Sequence, residues 1–133
     1  MIFLILVITA IAHTAAQDPG ELLGTWRGSS VCTDRQAAPA CRDEDAVYEF
    51  RPGPRQGVVH WIADKMVDGK RQNMGELDLT YDAAEHCWKV EVASTRLKSV
   101  WRLSVSGDHL TGSARLLPGG ETIRKLDLKR SSR

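Results

Sequence analysis

The feature that most constrains this chain is a period of two. About eight short segments alternate apolar and polar residues, with Gly, Pro and Asp clusters between them. Successive side chains on a strand point to opposite faces, so each segment reads as a strand with one apolar and one wetted side. Leu77, Leu79 and Tyr81 oppose Glu76, Asp78 and Thr80, and Trp88, Val90 and Val92 oppose Lys89 and Glu91. Trp101, Leu103 and Val105 oppose Arg102 and Ser104, and Leu126 and Leu128 oppose Asp127 and Lys129. Tyr48 and Phe50 share a face earlier in the chain, whereas the run Val58-Val59-His60-Trp61-Ile62 does not alternate and leaves its inward parity open.

Asp68-Gly69 is the strongest hairpin turn, and Gly107-Asp108 and Pro118-Gly119-Gly120 mark two more. Every link after Gly57 is short, so consecutive strands should pair as a meander. Closing eight twisted strands on themselves removes both exposed edges. The expected fold is therefore all-β, an eight-stranded antiparallel up-and-down barrel. Asp18-Pro19-Gly20-Glu21 adds one short helical turn before it, with a capping Asp and a Pro at the first helical position.

Residues 1–16 read as a signal peptide: Met1 to Ala12 is uncharged and apolar, too short for a comfortable anchor, and small residues follow at Ala10-Ile11-Ala12 and Thr14-Ala15-Ala16. No Lys or Arg stands near Met1, a departure from the usual signal. Residues 17–133 are then one barrel domain, secreted or periplasmic, with no membrane span after cleavage. Eighteen Lys plus Arg against 17 Asp plus Glu give a formal charge of +1, with the signs interspersed, which argues against nucleic acid as a partner. A monomer is expected.

In an oxidising compartment Cys32 and Cys41 are expected to pair across the loop Thr33 to Ala40. Cys87 is left over and reads as a buried small apolar residue. His60, His86 and His109 have no metal-ligand spacing, and no serine sits in a nucleophile elbow. Glu76, Asp78, Glu91 and Asp127 fall on the outer face as solvating charges. No catalytic, metal or cofactor site is expected, and the chain is read as a non-enzyme.

Gly24-Thr25-Trp26, just after the helical turn, resembles the Gly-x-Trp opening of the lipocalins and the wider calycin group. In that group the Trp packs at the closed end of the barrel against a basic side chain from the last strand. Counting by two from Leu126 and Leu128 puts Arg130 on the matching face, so the resemblance implies that Trp26 and Arg130 pack together there. The chain is shorter than most lipocalins and lacks room for their carboxy-terminal helix. It is similar in size to avidin-like barrels but without their inward polar set, and it also resembles a bacterial periplasmic inhibitor of metalloproteases. The segments from Cys41 to Tyr48 and from Ala63 to Lys70, with Met74-Gly75, look like a family of small exported bacterial proteins without a known role.

Two functions follow from the inward residues. Small side chains at Gly28, Ser30, Gly112 and Ala114 could leave space beside large ones, giving a cavity for a small apolar ligand such as a lipid or fatty acid. Its expected liners are Tyr48, Phe50, Leu77, Leu79, Trp88, Val90, Trp101 and Leu103, with the mouth opposite Trp26 and Arg130. Alternating large and small side chains also packs a solid core. A filled barrel would instead be an interaction protein, such as a protease inhibitor, presenting the disulfide-closed loop to a protein partner.

Overall fold

A computed structural model describes residues 18–133. The expected leader therefore lies outside the described residues. Eight strands run Gly24–Cys32 (β1), Glu44–Pro52 (β2), Val58–Val67 (β3), Lys70–Asp82 (β4), Cys87–Ala93 (β5), Lys98–Ser106 (β6), His109–Leu116 (β7) and Thr122–Ser132 (β8). Each pairs antiparallel with its neighbour and β8 returns to β1, which closes the barrel. One 3-10 turn, Pro19–Glu21, precedes β1; the Asp18 carboxylate caps it by accepting from the Gly20 N–H at 2.9 Å.

The local chemistry selects these elements. Asp68 and Gly69 both sit at positive φ, 51° and 76°, the conformation that a two-residue hairpin loop demands and that Gly adopts at no steric cost. On β4 and β8 the burial pattern follows the alternation, with Leu79, Leu126 and Leu128 buried between exposed neighbours. The non-alternating run on β3 is resolved by pairing: Phe50 faces Trp61, and Trp61 faces Leu77, which places Trp61 in the core together with Val59 and Ala63.

The inward glycines Gly28 and Gly112 serve close approach rather than empty space. A Cβ on Gly28 would stand 2.1 Å from the Asp127 carbonyl oxygen, and one on Gly112 would stand 2.7 Å from a methyl of Leu103. Gly28 thus lets β1 and β8 come together, and the room beside Gly112 is taken by Leu103 and Leu126.

One end of the bore is shut. Trp26 is fully buried and its Nε1–H donates to the Leu22 carbonyl at 2.8 Å, while the Arg130 guanidinium lies 4.2 Å from the indole centroid. Arg130 also donates to the carbonyls of Leu23 and Glu21 and to the Asp108 carboxylate at 2.9 Å. A cation over an indole, shielded from water, stabilises the contact by up to ~2 kcal/mol.

The wall is uneven. β4 and β5 pair only at Thr80 with Lys89, Tyr81 with Trp88 and Asp82 with Cys87, next to the shut end, and diverge beyond. A register shift between Ala63 and Asp64 opposite Gly75 and Asn73 adds a bulge to the same side of the barrel. From Val67 to Met74 every residue is exposed.

Candidate functional site: an apolar cup at the open end

The bore is filled from the shut end to about its middle. Phe50, Leu79, Trp88, Leu103, Leu110 and Leu128 are all 0–2 % exposed. Above them three rings form a floor, with Tyr48 and Trp61 centroids 5.0 Å apart and Trp61 and Trp101 5.5 Å apart, and Phe50 stacks beneath Trp61 at 6.0 Å. The indole nitrogens of Trp61 and Trp88 are buried without a hydrogen-bond acceptor among the described residues, so packing outweighs a cost of ~1–3 kcal/mol for each.

On that floor stands a cup of about 280 Å³. Tyr48, Trp61 and Trp101 form its base, and Ala63, Leu77 and Val92 form its apolar wall. Met74, Gly75 and Glu76 border it where β4 leaves β5, and Glu44 and Arg124 close the remaining side. The cup therefore lies at the end away from Trp26 and Arg130. Of the residues singled out from sequence, Tyr48, Leu77 and Trp101 line it. Phe50, Leu79, Trp88 and Leu103 lie below in the packed core, and Val90 packs against that core from β5.

Trp101 is held by its own Nε1–H, which donates to Ser99 Oγ at 3.1 Å. Its other side faces a second apolar recess of about 380 Å³, between the loop residues Ala37 to Cys41, Leu97 and Ile123. Trp101 and Arg124 border both spaces.

Arg124 sits on the inward parity of β8, two residues before Leu126, and is 8 % exposed. Its Nη1 donates to the Ser30 carbonyl at 3.1 Å and to Ser30 Oγ at 2.8 Å, and its Nη2 donates to the Arg42 carbonyl at 2.8 Å. Cys41 Sγ is 3.0 Å from Nη2, and Glu44 Oε2 is 3.6 Å from Nη1. One guanidinium thus ties β1, β2, β8 and the loop together at the rim. Nearby, burial pushes the Tyr48 hydroxyl up to about 12, with the Ser30 hydroxyl pulling the other way, so Tyr48 stays neutral.

Cys32 and Cys41 are joined, with Cα atoms 6.0 Å apart. The enclosed loop is braced within itself and against β8: the Asp34 carboxylate accepts from the Ala37 N–H at 2.9 Å, and Thr33 Oγ1 donates to the Thr122 carbonyl at 2.7 Å. Asp43 accepts from the Cys32 N–H at 2.8 Å, the main reason its carboxyl is held below the usual range. Cys87 is buried on the outer side of β5, and burial raises its thiol pKa.

The outward carboxylates find partners on the surface. His60 Nδ1 is 2.8 Å from Asp78 and its Nε2 is 3.4 Å from Glu76, and His109 Nε2 is 2.6 Å from Asp127. Among the described residues no three His, Cys, Asp or Glu side chains converge as a metal would require, and no helix is long and apolar enough to cross a membrane.

Sequence reasoning missed Trp61, Ala63, Glu44 and Arg124. Parity alone could have found Arg124, which continues the series Arg130, Leu128, Leu126. No protein family, no curated protein and no solved structure matches the chain, so its functional reading rests on the cup and the barrel that holds it.

Proposed function

We propose that this protein is a secreted or periplasmic calycin-type binding protein, not an enzyme, that takes a small apolar molecule into the cup. The observation that carries this reading is the apolar recess over the aromatic floor of Tyr48, Trp61 and Trp101. Ligand pockets span ~300–1,000 Å³, so a cup of about 280 Å³ suits a compact molecule or one end of a chain. Its Cys32–Cys41 bridge supports export, since such bonds persist in oxidising compartments.

Removing ~200 Å² of apolar area from water at ~25 cal/mol per Å² contributes about 5 kcal/mol, a dissociation constant on the order of 10⁻⁴ M before any polar contact. Catalysis finds less support. Glu44 Oε2 stands 3.6 Å from Arg124 Nη1, and burial raises the Tyr48 hydroxyl to about 12, far from the neutral value that suits a general acid or base.

Native mass spectrometry of protein purified from its own host, together with tryptophan fluorescence during titration with octanol, tests the reading. An adduct or a saturable fluorescence change is expected, lost in Ala63→Leu, which fills the cup. Absence of both in the unaltered protein would overturn it.

A further inference from the structure

Resting on that binding reading, we infer that the cup selects uncharged ligands, because the Arg124 guanidinium at its side is already paired with Glu44 and has both Nη groups held by fixed acceptors. A buried arginine beside an apolar recess ordinarily suggests a seat for a carboxylate or phosphate. Here both of its Nη groups are engaged within the chain. Nη1 is directed at both oxygens of Ser30, Nη2 at the Arg42 carbonyl, and the Glu44 carboxylate stands 3.6 Å away.

Both members of the pair are largely shielded, with side chains 10 % and 14 % exposed. An anionic ligand at Arg124 would either lie beside the Glu44 carboxylate, like charge against like, or displace it and leave that carboxylate shielded from water without its partner, an arrangement more costly than the pair it replaces. A cationic ligand meets the mirror problem, since Glu44 is held by Arg124. Glu76, the other charged residue at the border, directs its carboxylate to His60 at 3.4 Å on the outer face. Tyr48 contributes a neutral hydroxyl to the floor, and the remaining wall is hydrocarbon and indole. The ligand class that fits is a neutral apolar molecule carrying at most a hydroxyl, ester or ketone.

Octanol, octanoate and octylammonium share one chain and differ in charge, and they are titrated separately into the unaltered protein at neutral pH with tryptophan fluorescence as the readout. Octanol is expected to bind ~10-fold or more tightly than either ion. Octanoate or octylammonium binding as tightly as octanol would overturn the inference while leaving the binding reading intact. If none of the three binds, both fall. Glu44→Gln supplies an independent check: with its counter-charge gone, Arg124 is expected to raise octanoate affinity to at least that of octanol. No gain in a folded Glu44→Gln protein would count against the role given to the pair, and the comparison in the unaltered protein decides the matter if that variant fails to fold.

Discussion

Replacing Arg130 with Met removes the guanidinium from the shut end while keeping most of the apolar stem. Three contributions are lost. The cation over Trp26, at 4.2 Å and with the Arg130 side chain only 6 % exposed, sits toward the upper end of its range, ~2 kcal/mol. The bond to the half-buried Leu23 carbonyl is charge-assisted and contributes ~1.5 kcal/mol. Bonds to the exposed Glu21 carbonyl and Asp108 carboxylate are replaced largely by water and together contribute ~0.5 kcal/mol. The expected loss is about 4 kcal/mol, a large share of the ~5–15 kcal/mol typical of a domain. Urea denaturation followed by far-ultraviolet circular dichroism reads it as a lower midpoint with an unchanged slope. Arg130→Lys keeps the charge but cannot reach both carbonyls with a planar fork, and should fall between the two. An unfolding free energy for Arg130→Met within ~0.5 kcal/mol of the parent's would refute the view that this contact seals the barrel.

Cys32→Ser is expected to lower stability by ~2–4 kcal/mol in oxidising buffer, and by little relative to the parent once both are reduced; thermal melts with and without reductant check it. Stability should also fall with acid through Glu85. Hydrogen bonds from Arg102 and then Lys89 hold its carboxyl at about 2, against an ordinary value of 4.5, so its contribution is fully present above 4.5 and is lost as pH falls toward 2. Denaturation midpoints of Glu85→Gln measured across that window should show a shallower decline than those of the parent, and an identical decline would remove the assignment.

The barrel was legible because alternation is a local property: each of β4 to β8 states its own inward face, and Asp68-Gly69 fixes one of the links between strands. The cup was legible only in part because its depth is not local. Parity says that Tyr48, Phe50, Leu77 and Leu79 all point inward, but only the register between strands says that Tyr48 and Leu77 reach the cup while Phe50 and Leu79 lie beneath it. Trp61 was hidden by the continuous run Val58 to Ile62, where hydrophobicity carries no period and only pairing to Phe50 and Leu77 assigns a face. Arg124 was hidden by its chemistry. A cation is expected outside, and its place within follows from Ser30, Glu44 and the Arg42 carbonyl, residues from distant parts of the chain that offer it acceptors.

A cylinder is only as stiff as its weakest stave joint. Beyond Thr80 and Lys89 no ladder bonds join β4 to β5, so the flank carrying Leu77 and Val92 can yield outward without breaking cross-strand pairing. Its capacity is then set less by the resting volume than by how far those two strands spread. Amide exchange should locate that compliance in Asn73 to Leu77 and Val90 to Ala93 well before the rest of the wall gives way.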